Sequence, residues 1–192
     1  MPGSRLDRQL GFIAEVDKLK SVERMTSLIG GARLENSAEH SWHLAVMASL
    51  LWEYAPQELD IARVMTMLLL HDVVEIDAGD TFAYDEVGAA DQHERESRAA
   101  ERLFGLLPED QARDLRRCWD EFEARDTAEA RFAVSMDRFQ GLLMNWGNGG
   151  GSWKIHGISR EQILERMAPI REGAPELWSV VLRVLEEVGP EA

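Results

Sequence analysis

Leu68-Leu69-Leu70-His71-Asp72-Val73-Val74-Glu75-Ile76-Asp77-Ala78-Gly79-Asp80 is the end of an apolar helix that runs into imidazole and carboxylate. The segment from Ile61 to Leu70 is apolar except at Arg63 and Thr66, which predicts a central helix surrounded by others. His71 and Asp72 offer a borderline nitrogen and a hard oxygen side by side, a donor pair suited to a first-row divalent metal rather than to calcium. Glu75 lies at i+4 from His71 and i+3 from Asp72, so it shares their helix face. Asp80 follows Gly79, where a helix of this pattern stops.

A histidine near a helix end also occurs simply because it satisfies carbonyls there. The metal reading gains its weight from donors elsewhere. Glu39-His40-Ser41 opens an apolar helix upstream, and Asn36 with Glu39 three residues on predicts a capping box that puts His40 in its first turns. Downstream, Asp137 interrupts Val134-Ser135-Met136-Asp137-Arg138-Phe139. An ionised aspartate in such company is costly unless it is paired or bound to a metal. Three predicted helices thus each bring a donor toward one centre. His43, three residues past His40, is a rival ligand by spacing.

The chain has 192 residues and is 45% hydrophobic, enough for one core. Its net charge of −14 argues against nucleic acid or an anionic membrane as the main partner. The single Cys118 excludes an intramolecular disulfide and suits a reducing compartment, where it reads as an ordinary buried thiol. Met1 to Asp7 has no apolar signal core, and no stretch reaches the roughly 18 apolar residues of a spanning helix. A cytoplasmic location is expected.

Away from the centre, Leu6, Leu10, Ile13, Val16 and Leu19 predict a first helix over Arg5 to Leu19 with that stripe packed on the core. Lys20 to Ser37 is irregular and broken at Gly30-Gly31. Trp42, Met47 and Trp52 read as core or dimer contacts. Thr81 to Gly88 reads as a loop over the site, with Phe82 or Tyr84 available to a base or sugar. Ala90 to Leu107 alternates in charge as a solvated helix face does, and His93 reads as a surface residue. Pro108, Asp126 with Glu129, Ser159 with Gln162, and Pro175 each mark a helix start, and Gly147 to Ser152 reads as a flexible break.

His40, His71-Asp72 and Asp137 resemble the H…HD…D signature of the HD-domain metal-dependent phosphohydrolases. Arg33-Leu34-Glu35-Asn36-Ser37-Ala38-Glu39-His40-Ser41, His71-Asp72-Val73-Val74-Glu75 and Gly79-Asp80 resemble, more narrowly, its 5′-deoxynucleotidase branch. The resemblance runs from about Leu6 to the last helix. It implies an all-α helical bundle forming a single HD domain over residues 1–192, with a core at about 6–147 and C-terminal helices at about 159–188. It also implies a homodimer and one divalent metal ion: manganese, cobalt, iron, nickel, zinc or magnesium. The reaction implied is removal of the 5′-phosphate of nucleoside monophosphates, with deoxyribonucleotides preferred. The alternatives are hydrolysis of nucleoside triphosphates or modified nucleotides, and a catalytically silent nucleotide-binding regulator.

The resemblance selects His40 over His43, so the metal ligands expected are His40, His71, Asp72 and Asp137. Glu75 is expected to position or deprotonate water, and Asp80 to serve as acid for the leaving alkoxide or to orient the sugar. Arg24 is expected to clamp the phosphate, with Arg33 bracing its loop and Glu121 as a carboxylate on the substrate side.

Overall fold

Ser4 and Asp7 form a reciprocal capping box that starts α1 (Arg5–Val16) in the computed structural model, which describes residues 3–190. A 3-10 turn at Asp17–Ser21 continues it. The residues that dock α1 are not the predicted ones. Arg5 bonds Asp110, Arg8 bonds the carbonyls of Gly105, Leu106 and Leu107, and Gln9 bonds Gln111. Phe12 lies on the same face, buried with its ring 6.3 Å from that of Phe104. This anchored face turns Leu6, Leu10 and Ile13 outward, at 61%, 53% and 64% exposure, while Val16 and Leu19 still pack inward.

The irregular segment after α1 contains the fold's exception to helix, an antiparallel hairpin of β1 (Glu23–Ser27) and β2 (Leu34–Asn36). Glu23 pairs with Asn36 and Ser27 with Leu34. Gly30 and Gly31, at φ 92° and 70°, make the connection that residues with a Cβ resist. Asn148 Nδ2 donates to the Ser27 and Leu28 carbonyls and ties the hairpin to the body.

The predicted Asn36–Glu39 capping box starts α2 (Ser37–Leu51). Leu44, Met47 and Ala48 are buried, while Trp42, Val46 and Leu50 face outward. Asp60 caps α3 (Ile61–Leu70), which packs against α2. A 3-10 turn at His71–Val74 and the short α4 (Glu75–Ala78) follow, ended by Gly79 at φ 75°. Leu68 belongs to one apolar cluster and Val73 and Val74 to another, so the His71-Asp72 turn is pinned between two cores.

Asp85 caps α5 (Glu86–Ala89), which leads to α6 (Gln92–Phe104) and α7 (Glu109–Ala124). Thr127, rather than the expected Asp126, caps α8 (Ala128–Gly147) by accepting from the Ala130 amide. Glu129 instead accepts from the Asp60 amide and so links α8 to the start of α3. α8 packs against α2, α3 and α7 and buries Phe132, Met136 and Leu142.

The glycine run is a held turn rather than a loose break: Asn145 Oδ1 accepts from Ser152 Oγ at 3.0 Å and from the Trp153 amide at 3.3 Å. It opens α9 (Gly151–His156), followed by α10 (Arg160–Met167), α11 (Ile170–Gly173) and α12 (Trp178–Glu187). α11 lies so close to α8 that a Cβ at Gly173 would sit 2.3 Å from the Arg131 carbonyl. Only glycine fits there.

Candidate metal centre

The carbonyl of Leu68, in the last turn of α3, accepts from His71 Nδ1 at 2.9 Å. That bond places the ring proton on Nδ1 and leaves the Nε2 lone pair facing the cleft. Nε2 is buried 3.0 Å from Asp72 Oδ1, without hydrogen-bond geometry to it. Trp119 Nε1 donates to the His71 carbonyl at 3.2 Å and holds the turn from behind. The capping box of α2 delivers His40, whose Nε2 lies 3.0 Å from Asp137 Oδ1 and 3.8 Å from Asp72 Oδ2. One donor atom each from His40, His71 and Asp72 falls within 4.8 Å of the others.

Two imidazoles and a carboxylate, converging in a buried site with an orphaned nitrogen lone pair, fit a divalent metal ion. Asp137 adjoins the group through His40. Behind His40, Gln140 Nε2 donates to Glu35 Oε1 at 2.8 Å, and Glu35 Oε2 sits 3.5 Å from His40 Nδ1. A carboxylate in that position orients a ligating imidazole and raises its basicity.

Arg24, brought in by β1, lies among the carboxylates. Its Nη1 is 2.7 Å from Asp72, 3.6 Å from Asp80 and 3.9 Å from Glu75, and its Nε is 3.8 Å from Glu35. The charges separate the acids into two kinds. Burial opposes ionisation of Asp72, but His71 and Arg24 outweigh it and hold the carboxyl below the ordinary range. Asp137 is likewise held well down, against burial, by Arg138 and His40. Burial pushes Glu75 well above the ordinary range, and the neighbouring Asp72 charge adds to this. Asp80 is raised by burial and by Asp72, with Arg24 opposing. Ser37 Oγ donates to Glu75 Oε2 at 2.6 Å.

These groups line a cleft of about 370 Å³. Arg24, His71, Asp72, Glu75, Asp80 and Asp137 all reach it, and so do Phe82 and Tyr84 from the loop after Gly79. His93, read as a surface histidine, also lies on its wall. Two expected substrate contacts are not brought there. Arg33 makes a fork to Glu39 at 2.6 and 2.8 Å on the surface, the bracing half of its expected role. Glu121 faces away from the cleft on α7, paired with Arg63 and accepting from Thr127 Oγ1 at 2.6 Å, while Glu123 lines the cleft. His43 Nδ1 lies 3.4 Å from Gln140 Nε2, apart from the donor group.

Sequence reasoning missed Ser37, Glu35, Arg125, Arg138 and Arg166. Arg138 was findable as a cation adjoining Asp137. Arg166 lies on α10, far along the chain, and carries no local signal.

A family model described as HD domain matches residues 16–178. The human protein named 5′-deoxynucleotidase HDDC2 is 31% identical over 135 residues, covering 70% of this chain and 65% of that protein. The Bos taurus protein of the same name is 31% identical over 144 residues, covering 74% and 69%. This chain thus spans about two thirds of the length of the human relative. A crystal structure from Magnetospirillum magnetotacticum, described as a predicted metal-dependent phosphohydrolase, superposes with TM-score 0.93 at 50% identity, over 98% of this chain and 94% of that one. With the donor geometry and a model match over most of its length, the chain belongs to the HD-domain family.

Proposed function

We propose that this protein is a metal-dependent phosphomonoester hydrolase that removes the 5′-phosphate of nucleoside monophosphates and prefers deoxyribonucleotides. The observation that carries the reading is the convergence of His40, His71 and Asp72 donor atoms within 4.8 Å in the cleft that Glu75 and Asp80 also line. The names of the human and bovine relatives support the substrate class.

In this reading His40, His71, Asp72 and Asp137 hold one divalent ion, which when bound acidifies water and offsets phosphate charge. Glu75, fixed by Ser37, exchanges the proton of the attacking water. Asp80, the other raised carboxyl, faces the cleft and supplies a proton to the leaving 5′-oxygen or orients the sugar. Arg24 balances the carboxylates and reaches the phosphate from the Asp72 side.

The proposed working unit is a single HD domain of residues 1–192, paired as a homodimer through the outward apolar face of α2, where Trp42 and Leu50 are 64% and 66% exposed. The compartment proposed is the cytoplasm, in keeping with one buried free cysteine and an acidic chain. No helix among the described residues is long and apolar enough to cross a membrane.

The test is phosphate release from ribo- and deoxyribonucleoside mono-, di- and triphosphates by protein stripped of metal and resupplied with each divalent ion. Release confined to deoxyribonucleoside monophosphates, dependent on metal and abolished in His71→Ala, is expected. Turnover of triphosphates alone, or no turnover with stoichiometric metal bound, overturns the reading.

A further inference from the structure

The cleft holds positive charge that the reading above does not use. Arg24, on one wall, is already surrounded by four carboxylates: Asp72, Asp80, Glu75 and Glu35. On the Asp137 side, three more arginines line the same cleft, each from a different helix: Arg125 at the end of α7, Arg138 in α8 and Arg166 in α10. Arg138 is paired with Asp137. Arg166 is largely buried, and among the described residues it has no carboxylate within ion-pair distance. Its charged neighbours are Arg138 and Arg125, which repel it, and Asp137, which attracts it. Burial, with Arg138 next, lowers its pKa to about 9, which marks a cation lacking its anion.

Arg125 gives an independent indication. It is the non-glycine residue at positive φ among those described, at φ 58° and ψ 26°, in the helix-ending position that glycine ordinarily takes. A side chain there strains the backbone, and strained residues cluster at functional sites. The side chain held at that cost reaches the cleft. Three guanidinium forks, of which Arg138 alone has a carboxylate partner among the described residues, match the donors that a phosphate oxyanion accepts in parallel.

We infer that Arg166, Arg138 and Arg125 form an oxyanion subsite, separate from Arg24, that takes a phosphate group of the substrate. The subsite deepens the proposed hydrolase function and, as a claim about substrate, rests on it. Two sources supply the same chemistry: the non-reacting oxygens of the 5′-phosphate itself, or a second phosphate carried elsewhere on the nucleotide. The second source defines a nucleoside bisphosphate as the preferred substrate class.

The deciding experiment is calorimetric titration of metal-loaded protein with inorganic phosphate, for the wild type, Arg166→Gln, Arg166→Lys and Arg125→Gly. Arg166→Gln is expected to weaken phosphate by about tenfold, the equivalent of one charge-assisted contact. Arg166→Lys should recover most of that loss. Arg125→Gly should weaken phosphate while raising the melting temperature, because glycine relieves the backbone.

KM then separates the sources. A rise for 2′-deoxyadenosine 5′-monophosphate in Arg166→Gln assigns the subsite to the reacting phosphate, and a rise confined to 2′-deoxyadenosine 3′,5′-bisphosphate assigns it to a second one. Wild-type phosphate affinity in a folded Arg166→Gln protein overturns the inference. If that variant does not fold, unchanged affinity in Arg125→Gly does so. Phosphate binding is read without turnover, so an inactive protein that shows the Arg166 dependence counts against the hydrolase reading and leaves the subsite standing.

Discussion

Ser37 Oγ and Glu75 Oε2 are joined by a 2.6 Å hydrogen bond that crosses from the first turn of α2 to the start of α4. The bond fixes the one carboxyl of the cleft that burial and Asp72 push furthest toward its neutral form. A proton-exchanging group needs such a position and such a poise. Glu75→Gln is expected to lower kcat by about 10²- to 10⁴-fold. Ser37→Ala removes one hydrogen bond, so its expected cost is about three- to tenfold in kcat. Bound metal, measured by mass spectrometry, should stay stoichiometric in both. Normal turnover in Glu75→Gln would remove the proton-exchange role.

Glu35 lies behind His40, held in turn by Gln140. Loss of a carboxylate that orients a ligating imidazole costs about 10- to 100-fold in metal affinity. Glu35→Ala should therefore weaken metal by that factor in competition with a chelator. An unchanged affinity would mean that Leu68 on His71 and Asp137 on His40 orient the rings by themselves.

Metal removal has a thermal signature. A ligand bound only by the native state, present at a hundred times its Kd, stabilises the fold by about 2.7 kcal/mol. Chelation should lower the melting temperature of the wild type by several degrees and leave His71→Ala unmoved, since that variant lacks the orphaned Nε2 donor. Scanning calorimetry with and without chelator measures the difference.

The parts of this site that the sequence makes legible are those whose cause is local. The apolar run to Leu70 and the Asn36–Glu39 capping box each state their geometry within a few residues, and each is realised. The His71-Asp72-Glu75 spacing, expected to share one α-helical face, crosses a 3-10 turn into α4 instead, and the three residues still line one cleft. α1 is different. Its leucines repeat with helical spacing, yet the side that docks is chosen by Asp110, Gln111 and the end of α6, about a hundred residues away. Thr127 displaces Asp126 as a cap because the side chain that reaches the third amide wins, and both are capable residues. Arg166 and Glu123 enter the cleft only through the packing of α10 and α7. No periodicity announces that.

The outward residues of α1 and α2 are more than the scattered apolar side chains of an ordinary surface. Trp42, Val46 and Leu50 recur every four residues along α2 at 64%, 38% and 66% exposure. A protein pairing through this face should sediment as a dimer, and Trp42→Glu with Leu50→Glu should sediment as a monomer that keeps its helical circular dichroism. If the double variant sediments as the wild type does, pairing uses another face, of which Leu6, Leu10 and Ile13 on α1 are the next candidates.

Glu96 predicts how stability depends on pH. It is a buried carboxyl in α6 that accepts from Gln92 Nε2 at 2.6 Å. Burial raises its pKa, and the nearby Glu123, itself raised by burial, adds to the shift. A carboxyl whose folded-state pKa lies above its unfolded value, about 4.3 for glutamate, is protonated more readily in the fold. Its stabilising contribution is complete below the unfolded value and is lost as pH rises through the folded one. Glu96→Gln keeps the acceptor for Gln92 and removes the charge, so the variant should match the wild type near pH 4 and exceed it in stability at pH 7 to 8. Urea midpoints at the two pH values measure this. Parallel curves for the two proteins would show that Glu96 meets no net penalty on ionising, and would place the neutral-pH destabilisation on Glu75 and Asp80 instead.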